Sequence, residues 1–309
     1  MRASSTKAAA IAGIGALLIL LCLAIAVLAS APRAPAAFAG KDGRILFQSD
    51  RDGRSYEIYS MKPDGTGVKR LTDNDLYDDW ATLSPDARKI VYHQTLAPGE
   101  TDVLLMRADG SGQHPITSAA GRDYEPAWSP NGRKIAFVSD RSGSRQIWVM
   151  DADGSNEHPV KLNGLEQDGP AFTPNGRRIF FTGYNDGHIY MMRRDGTHIR
   201  RLTNSTAYDE YPDISPNGRR MVFDRTINMG NQMVFISRVD GTHAKRLTSP
   251  AVQSANAKFS PSGKKIVFSS KRSVGGNFEV FVMNVDGSRQ HRLTPNESSS
   301  YPTGWGIRP

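Results

Sequence analysis

Past residue 40 the apolar positions fall in short β-rich runs separated by turn residues, and the same alternation keeps returning. One unit shows it. Trp128-Ser129 ends a short strand, and Pro130-Asn131-Gly132 turns the chain. Lys134-Ile135-Ala136-Phe137-Val138-Ser139 reads as a second strand, Asp140 to Ser144 as a loop, and Gln146-Ile147-Trp148-Val149-Met150 as a third strand. Asp153-Gly154-Ser155 turns again before a fourth strand expected around Pro159 to Leu162. Asn-Gly and Asp-Gly between such runs are strong hairpin signals, because few other residues accept a positive φ cheaply.

The unit repeats six times. Asp-Gly recurs at 64–65, 109–110, 153–154, 195–196, 240–241 and 286–287, in steps of 42 to 46 residues. About 20 residues after each of the first five stands Ser84-Pro85, Ser129-Pro130, Thr173-Pro174, Ser215-Pro216 or Ser260-Pro261. Periods of this length filled with short strands indicate propeller blades, none of which can bury its faces alone. The two ends fit a closed ring. Arg44-Ile45-Leu46-Phe47-Gln48-Ser49 matches a second strand, and Tyr301-Pro302-Thr303-Gly304-Trp305 resembles a first strand such as Glu125-Pro126-Ala127-Trp128. The expected fold is therefore all-β: a six-bladed β-propeller of four-stranded antiparallel blades over residues 40–309, closed by an N/C-terminal strand clasp.

The residues also carry a family resemblance. Trp128 to Arg141 followed by Ile147 to Gly154, with Arg-Leu-Thr at 70–72, 201–203, 246–248 and 292–294, resembles the WD40-like (PD40) repeat of TolB-type propellers over residues 41–309. The resemblance implies the propeller fold. Two features depart from the pattern. TolB has an α/β domain ahead of its propeller, for which Gly40 to Arg44 leave no room, so a propeller without that domain is expected. The first turn, Pro85-Asp86-Ala87, lacks the usual Gly.

The first 39 residues read differently. Arg2 and Lys7 give a positive start to the uncharged, apolar stretch Ala8–Ser30. Ala37-Phe38-Ala39 before Gly40 fits signal-peptidase cleavage. The stretch is also long enough to span a bilayer. Residues 1–39 are thus expected to be a signal peptide or an N-terminal transmembrane anchor helix. Either leaves the rest exported, periplasmic or extracytoplasmic, because the positive flank stays inside. Cys22, the one cysteine, follows Leu21 where a lipobox needs Gly or Ala, so it reads as an apolar residue of this segment. A single cysteine excludes a disulfide framework and multi-cysteine metal sites.

Composition is that of an ordinary globular protein, 38% hydrophobic and 23% charged. The net charge of +8 points toward nucleic acid, but Arg2, Lys7 and Arg33 lie in the first segment without an acid, leaving +5 on the exported part. That remainder is spread over hairpins, at Arg88-Lys89, Arg133-Lys134, Arg177-Arg178, Arg219-Arg220 and Lys264-Lys265 and at Lys69-Arg70, Arg200-Arg201 and Lys245-Arg246. Repeated charge on exposed turns is solubilising; alternatively this face meets an anionic membrane or cell-wall surface. Nucleic acid is not an expected partner.

The opposite face is acidic and aromatic. Binding residues gather on loops held by a rigid scaffold, and the residues just ahead of the innermost strands should rim the channel. The candidate ligand-binding rim is Asp79, Trp80, Tyr124, Glu125, Asp168, Glu210, Tyr211, Asn256 and Tyr301, suited to a protein or peptide, a cationic segment or a sugar; acids bracing neighbouring blades are the competing reading. Loop length also varies here, at Gln94 to Thr101 and Thr226 to Asn231. Asp50-Arg51, Asp140-Arg141 and Asp224-Arg225 recur at equivalent positions, which suggests inter-blade salt bridges or loop bracing.

No chemistry-bearing motif appears. His114, His158, His198, His243 and His291 each follow an Asp-Gly turn on different blades, too far apart to share one ion. Asp151-Ala152-Asp153-Gly154 lacks the Gly and Glu of a calcium loop, having Asn156 and Leu162 there. There is no Gly-x-Ser-x-Gly elbow, phosphate loop or dinucleotide fingerprint. The expectation is an exported, non-catalytic binding or scaffold propeller of the cell envelope, without cofactor or metal. The alternative is an envelope glycan or peptide lyase or hydrolase using carboxylates at the channel mouth.

Overall fold

The computed structural model describes residues 40–53, 55–160, 164–227, 230–272, 276–295 and 297–308. The expected signal peptide or anchor, Cys22 included, lies outside them. Among the described residues no helix is long and apolar enough to cross a membrane. The regular structure is all strand, in six four-stranded antiparallel sheets.

Blade 1 takes β1 (Asp42–Ser49), β2 (Glu57–Met61) and β3 (Lys69–Arg70) from the start of the described chain. Blade 2 holds β4 (Tyr77–Leu83), β5 (Lys89–Ala97), β6 (Glu100–Arg107) and β7 (His114–Pro115). Blade 3 holds β8 (Asp123–Trp128), β9 (Lys134–Ser139), β10 (Gln146–Asp151) and β11 (His158–Pro159). Blade 4 holds β12 (Gln167–Phe172), β13 (Arg178–Gly183), β14 (His188–Arg193) and β15 (Arg200–Arg201). Blade 5 holds β16 (Tyr208–Ile214), β17 (Arg220–Thr226), β18 (Gln232–Arg238) and β19 (Lys245–Arg246). Blade 6 holds β20 (Gln253–Phe259), β21 (Lys265–Lys271), β22 (Glu279–Asn284) and β23 (His291–Arg292). The last strand, β24 (Ser300–Ile307), returns to pair with β1, Ile45 opposite Trp305. The clasp is the one expected from the two ends of the chain.

Apolar residues of each blade face the next blade, so the core is six inter-blade clusters rather than one centre. Leu46 and Ile58 of blade 1 lie with Ala81, Ile90 and Tyr92 of blade 2. Val267 and Val280 of blade 6 lie with Phe47, Tyr59 and Trp305 of blade 1, which makes the clasp part of a core. A blade removed from the ring would expose two apolar faces, which is why the fold closes. The outermost strands are two residues long; in blade 3 the expected fourth strand pairs only over His158–Pro159, one residue earlier than expected, and 161–162 lie outside the described residues. An outer strand has one neighbour and solvent on its far side, so little holds it.

Candidate functional site

The inner strands β4, β8, β12, β16, β20 and β24 neighbour one another around the axis. Each carries a register shift at its middle, as between Asp79 and Thr82 opposite His93 and Val91. At the shift, Trp80, Glu125, Gly169, Tyr211 and Asn256 adopt φ of +54° to +61°. A bulky residue there costs about 1–3 kcal/mol and persists only where surroundings impose it. Here the neighbouring blade imposes it. The backbone N–H of each of these five residues donates to a side chain of the preceding blade. Trp80 donates to Gln48 Oε1 (3.3 Å), Glu125 to His93 Nδ1 (3.4 Å) and Gly169 to Glu125 Oε2 (2.8 Å). Tyr211 donates to Thr182 Oγ1 (3.0 Å) and Asn256 to Asp224 Oδ2 (2.7 Å). The sixth equivalent is Pro302, which has no N–H to donate. The matching acceptor, Ser269, instead receives Asn256 Nδ2 at 3.0 Å.

These latches place the expected rim residues inside the inner strands, not just ahead of them, and all but Tyr124 and Asp79 are buried. Blades 2 and 5 lie opposite each other, and Trp80 meets Tyr211 edge-on across the channel, centroids 6.2 Å apart. His93 lies against Trp80 and Tyr124, extending the aromatic run. Gly169 makes room for it: a Cβ there would sit 2.8 Å from the Tyr211 ring. Instead of an open rim, this level of the channel is closed by aromatic rings. Tyr301 stands apart, in a row Phe278–Tyr301–Tyr56–Tyr77 across blades 6, 1 and 2.

Carboxylates fill the channel wall. Asp79 accepts from Gln48 Nε2, Glu210 from Gln232 Nε2 at 2.5 Å, and Asp168 lies 3.4 Å from Arg145 Nη1. Burial, with Asp78 adding repulsion, pushes Asp79 up to about 7. Burial likewise pushes Asp224 up to about 7 and Asp78 up to about 6. Burial lowers His93 to about 3, so it is neutral, and since Nδ1 accepts, the proton sits on Nε2, 4.0 Å from Asp79 Oδ2. One amine enters this region. Lys258 is 1% exposed, its Nζ has no hydrogen-bond partner, and burial lowers its pKa against the opposing charges of Asp213, Asp224 and Glu125. Lys258 and His93 were not among the expected residues. The inner-strand position of Lys258, three residues beyond the acids, was the available signal.

Above the closed level the loop face also carries exposed apolar side chains. Of the exposed large apolar side chains, Tyr77, Leu96, Tyr184 and Ile227 all lie on this side, Tyr77 half exposed. Leu96 lies near the end of β5 and Ile227 just after β17, at the two variable connections singled out in the sequence. Tyr184 is held from both sides: Arg145 stacks 3.6 Å over its ring and Tyr208 Oη donates to its carbonyl at 2.7 Å. The four are accessible where most of the channel residues are not.

The aspartate–arginine pairs act within blades. Arg141 binds Asp123 and Glu157, Arg225 binds Asp209, and Asp140 binds Arg122 at 2.7 Å. Loop bracing is the reading that stands, rather than inter-blade salt bridges. Asp224 is not equivalent to Asp140: Arg225 pairs opposite Asp209 where Ser139 pairs opposite Asp123, so Asp224 falls two positions earlier, in a latch. The braces also cap third-strand rings, Arg141 4.6 Å over Trp148 and Arg272 4.1 Å over Phe281. His114, His158 and His291 lie on outer strands and His198 and His243 in the turns before them. Among the described residues no three His, Cys, Asp or Glu are placed to hold a metal ion.

Residues 84–233 match the family profile described as the TolB beta propeller domain. Over 182 residues, 59% of this chain and 47% of the relative, the chain is 28% identical to an uncharacterized protein of Agrobacterium fabrum. Over 144 residues, 33% of each chain, it is 28% identical to the protein TolB homolog of Chlorobium luteolum. The chain thus spans half or less of the length of these curated relatives. Among solved structures, TolB from Acinetobacter baumannii superposes with a TM-score of 0.76 over 86% of this chain and 67% of that one, at 21% identity, a likeness of fold.

Proposed function

We propose, from the premise that this chain is a TolB-like six-bladed propeller, that it is an exported, non-catalytic binding module of the cell envelope. It takes a protein or peptide on its acidic-aromatic loop face. The observation that carries this reading is the gathering of Tyr77, Leu96, Tyr184 and Ile227 on one side of the ring, over a channel wall rich in carboxylates. Binding residues gather on loops held by a rigid scaffold, and large apolar side chains left exposed on one such face support an interaction surface there. Aromatic anchors suit a partner's side chains, and the acids below favour a cationic one.

The catalytic alternative would use Asp79 and His93, whose Oδ2 and Nε2 lie 4.0 Å apart. His93 is buried against the rings of Trp80 and Tyr124, which favours binding over turnover. The test is capture from an envelope fraction by the purified chain and by a Tyr77→Ala/Tyr184→Ala variant, whose substitutions are exposed and leave the core intact. A protein retained by the first and lost with the second is the expected result. Equal capture by both, or glycan or peptide turnover abolished by Asp79→Asn, would overturn the proposal.

A further inference from the structure

Two hollows among the described residues lie on the hairpin face, away from the channel. One, of about 500 Å³, opens between the hairpins of blades 4 and 5. A second, of about 220 Å³, opens between blades 3 and 4 and shares Pro174 and Asn175 with the first. Arg177, Arg178 and Arg200 edge the larger hollow and Arg194 the smaller. The larger floor is apolar, made of Phe180, Met191 and Val239.

The charge here is unevenly distributed: among the described residues no acid pairs with Arg177, Arg178 or Arg200, and Arg178 Nη1 donates to Met191 Sδ at 3.3 Å. In blade 3 the equivalent cation, Lys134, is neutralised by Asp151 at 2.8 Å, and in blade 6 Lys265 donates to Asn284 Oδ1 at 3.1 Å. In blade 4 the residue opposite Arg178 is Arg193, and in blade 5 Arg220 faces Arg238. Like charges directly opposite on adjacent strands destabilise a sheet. Lys89 faces Arg107 in blade 2 as well, but of these opposed cations it is Arg178 that lines the larger hollow, beside Arg177 and Arg200. The hairpin pairs of blades 2 and 6 contain lysine, whereas those of blades 4 and 5, Arg177-Arg178 and Arg219-Arg220, are all arginine. The acid on the rim of the larger hollow, Asp240, has Oδ1 occupied by Thr242 N and Oγ1 of its own turn.

We infer that the cleft between blades 4 and 5 is a second binding site, for an extended acidic peptide with alternate apolar side chains. Arginine binds a carboxylate through two parallel hydrogen bonds, a geometry lysine cannot supply. The floor of Phe180, Met191 and Val239 takes the apolar side chains. A flat lipid surface would meet the hairpin tips rather than a recessed apolar floor, and a phosphate polymer has no use for one. The site is independent of the channel.

A fluorescein-labelled twelve-residue peptide alternating Glu and Leu, and its Gln–Leu counterpart, test this by anisotropy with the full chain. The Glu peptide should bind at least about tenfold tighter than the Gln peptide, as loss of charge-assisted hydrogen bonds requires. Arg178→Glu/Arg200→Glu should weaken it about tenfold or more, and Arg178→Lys/Arg200→Lys by a smaller factor. Lys264→Glu/Lys265→Glu, on a hairpin away from the cleft, should leave it within about twofold. Melting temperatures near that of the unaltered chain show that the variants fold. Equal losses from the arginine and lysine reversals would overturn the inference, as would no preference for the Glu peptide. So would binding to phosphatidylglycerol vesicles that the arginine reversal abolishes while peptide binding survives.

Discussion

The two faces of the ring treat charge in opposite ways. On the channel side acids are buried, and latches, braces and a buried amine answer them: Asp224 holds the Asn256 N–H, Arg225 holds Asp209, and Lys258 stands against Asp213. On the hairpin side the cations are exposed, and several face one another across strands. The lesson is that an equally repetitive sequence signal carries different energetic weight on the two sides. Water relieves an unpaired exposed guanidinium at little cost, whereas an unpaired buried group pays its full desolvation. Substitutions of similar chemistry on the two sides should therefore diverge widely.

The largest divergence is expected at lysine. Lys258→Met leaves Asp213, Asp224 and Glu125 without their buried counter-charge and should cost about 3–5 kcal/mol in a urea unfolding titration. Lys264→Met, an exposed hairpin position, should change stability by no more than about 0.5 kcal/mol. Comparable losses at the two positions would erase the distinction between the faces.

A smaller contrast separates hydrogen bonds of the same kind. Thr182→Ala orphans the buried Tyr211 N–H that holds a strained φ, at about 1–3 kcal/mol, while Thr182→Ser restores the acceptor and most of the stability. On the hairpin side, Asn131 Oδ1 accepts from Arg133 N at 3.1 Å in an exposed turn. Its alanine variant should lose less than half as much, because water replaces the acceptor. If Asn131→Ala proved the costlier of the two, the hairpins rather than the latches would hold the ring.

These contrasts explain what was legible in the sequence. Hairpins and strands are local events, marked by Asn-Gly and Asp-Gly, and the clasp was legible because Trp305 and Ile45 sit in strands whose order in the repeat is unmistakable. The channel side depends on which residues of different blades meet. Trp80 and Tyr211 were singled out as rim residues, but they stand 131 positions apart in the chain and close the channel only because blades 2 and 5 face each other. Nor does any local signal show that Val138 cannot serve as a latch acceptor, so that Glu125 supplies the acceptor for Gly169. The apolar mouth was half visible: the altered lengths near Leu96 and Ile227 drew attention to those loops, while single exposed tyrosines look like any others.

The finest contrast is in pH dependence, and it lies within one pair. Asp79 is raised to about 7 in the fold, so it stabilises the protein fully below its ordinary carboxylate range and loses that contribution as pH rises through 7. His93 is lowered to about 3, so it stabilises the protein above its ordinary value near 6.5 and loses that contribution as pH falls through 3. The two act over nearly the same window with opposite signs and offset each other in the unaltered chain. Removing one exposes the other. Relative to the unaltered protein, Asp79→Asn should gain in melting temperature from pH 4.5 to 7.5 and His93→Gln should lose, each by a few degrees. Asp153 on the hairpin side has its carboxyl held below the ordinary value by Ser155, so its asparagine variant should run parallel to the unaltered chain throughout that range. Parallel curves for Asp79→Asn as well would mean that Asp79 is hydrated in solution, and that the aromatic closure above it, through Trp80 and Tyr211, is open rather than sealed.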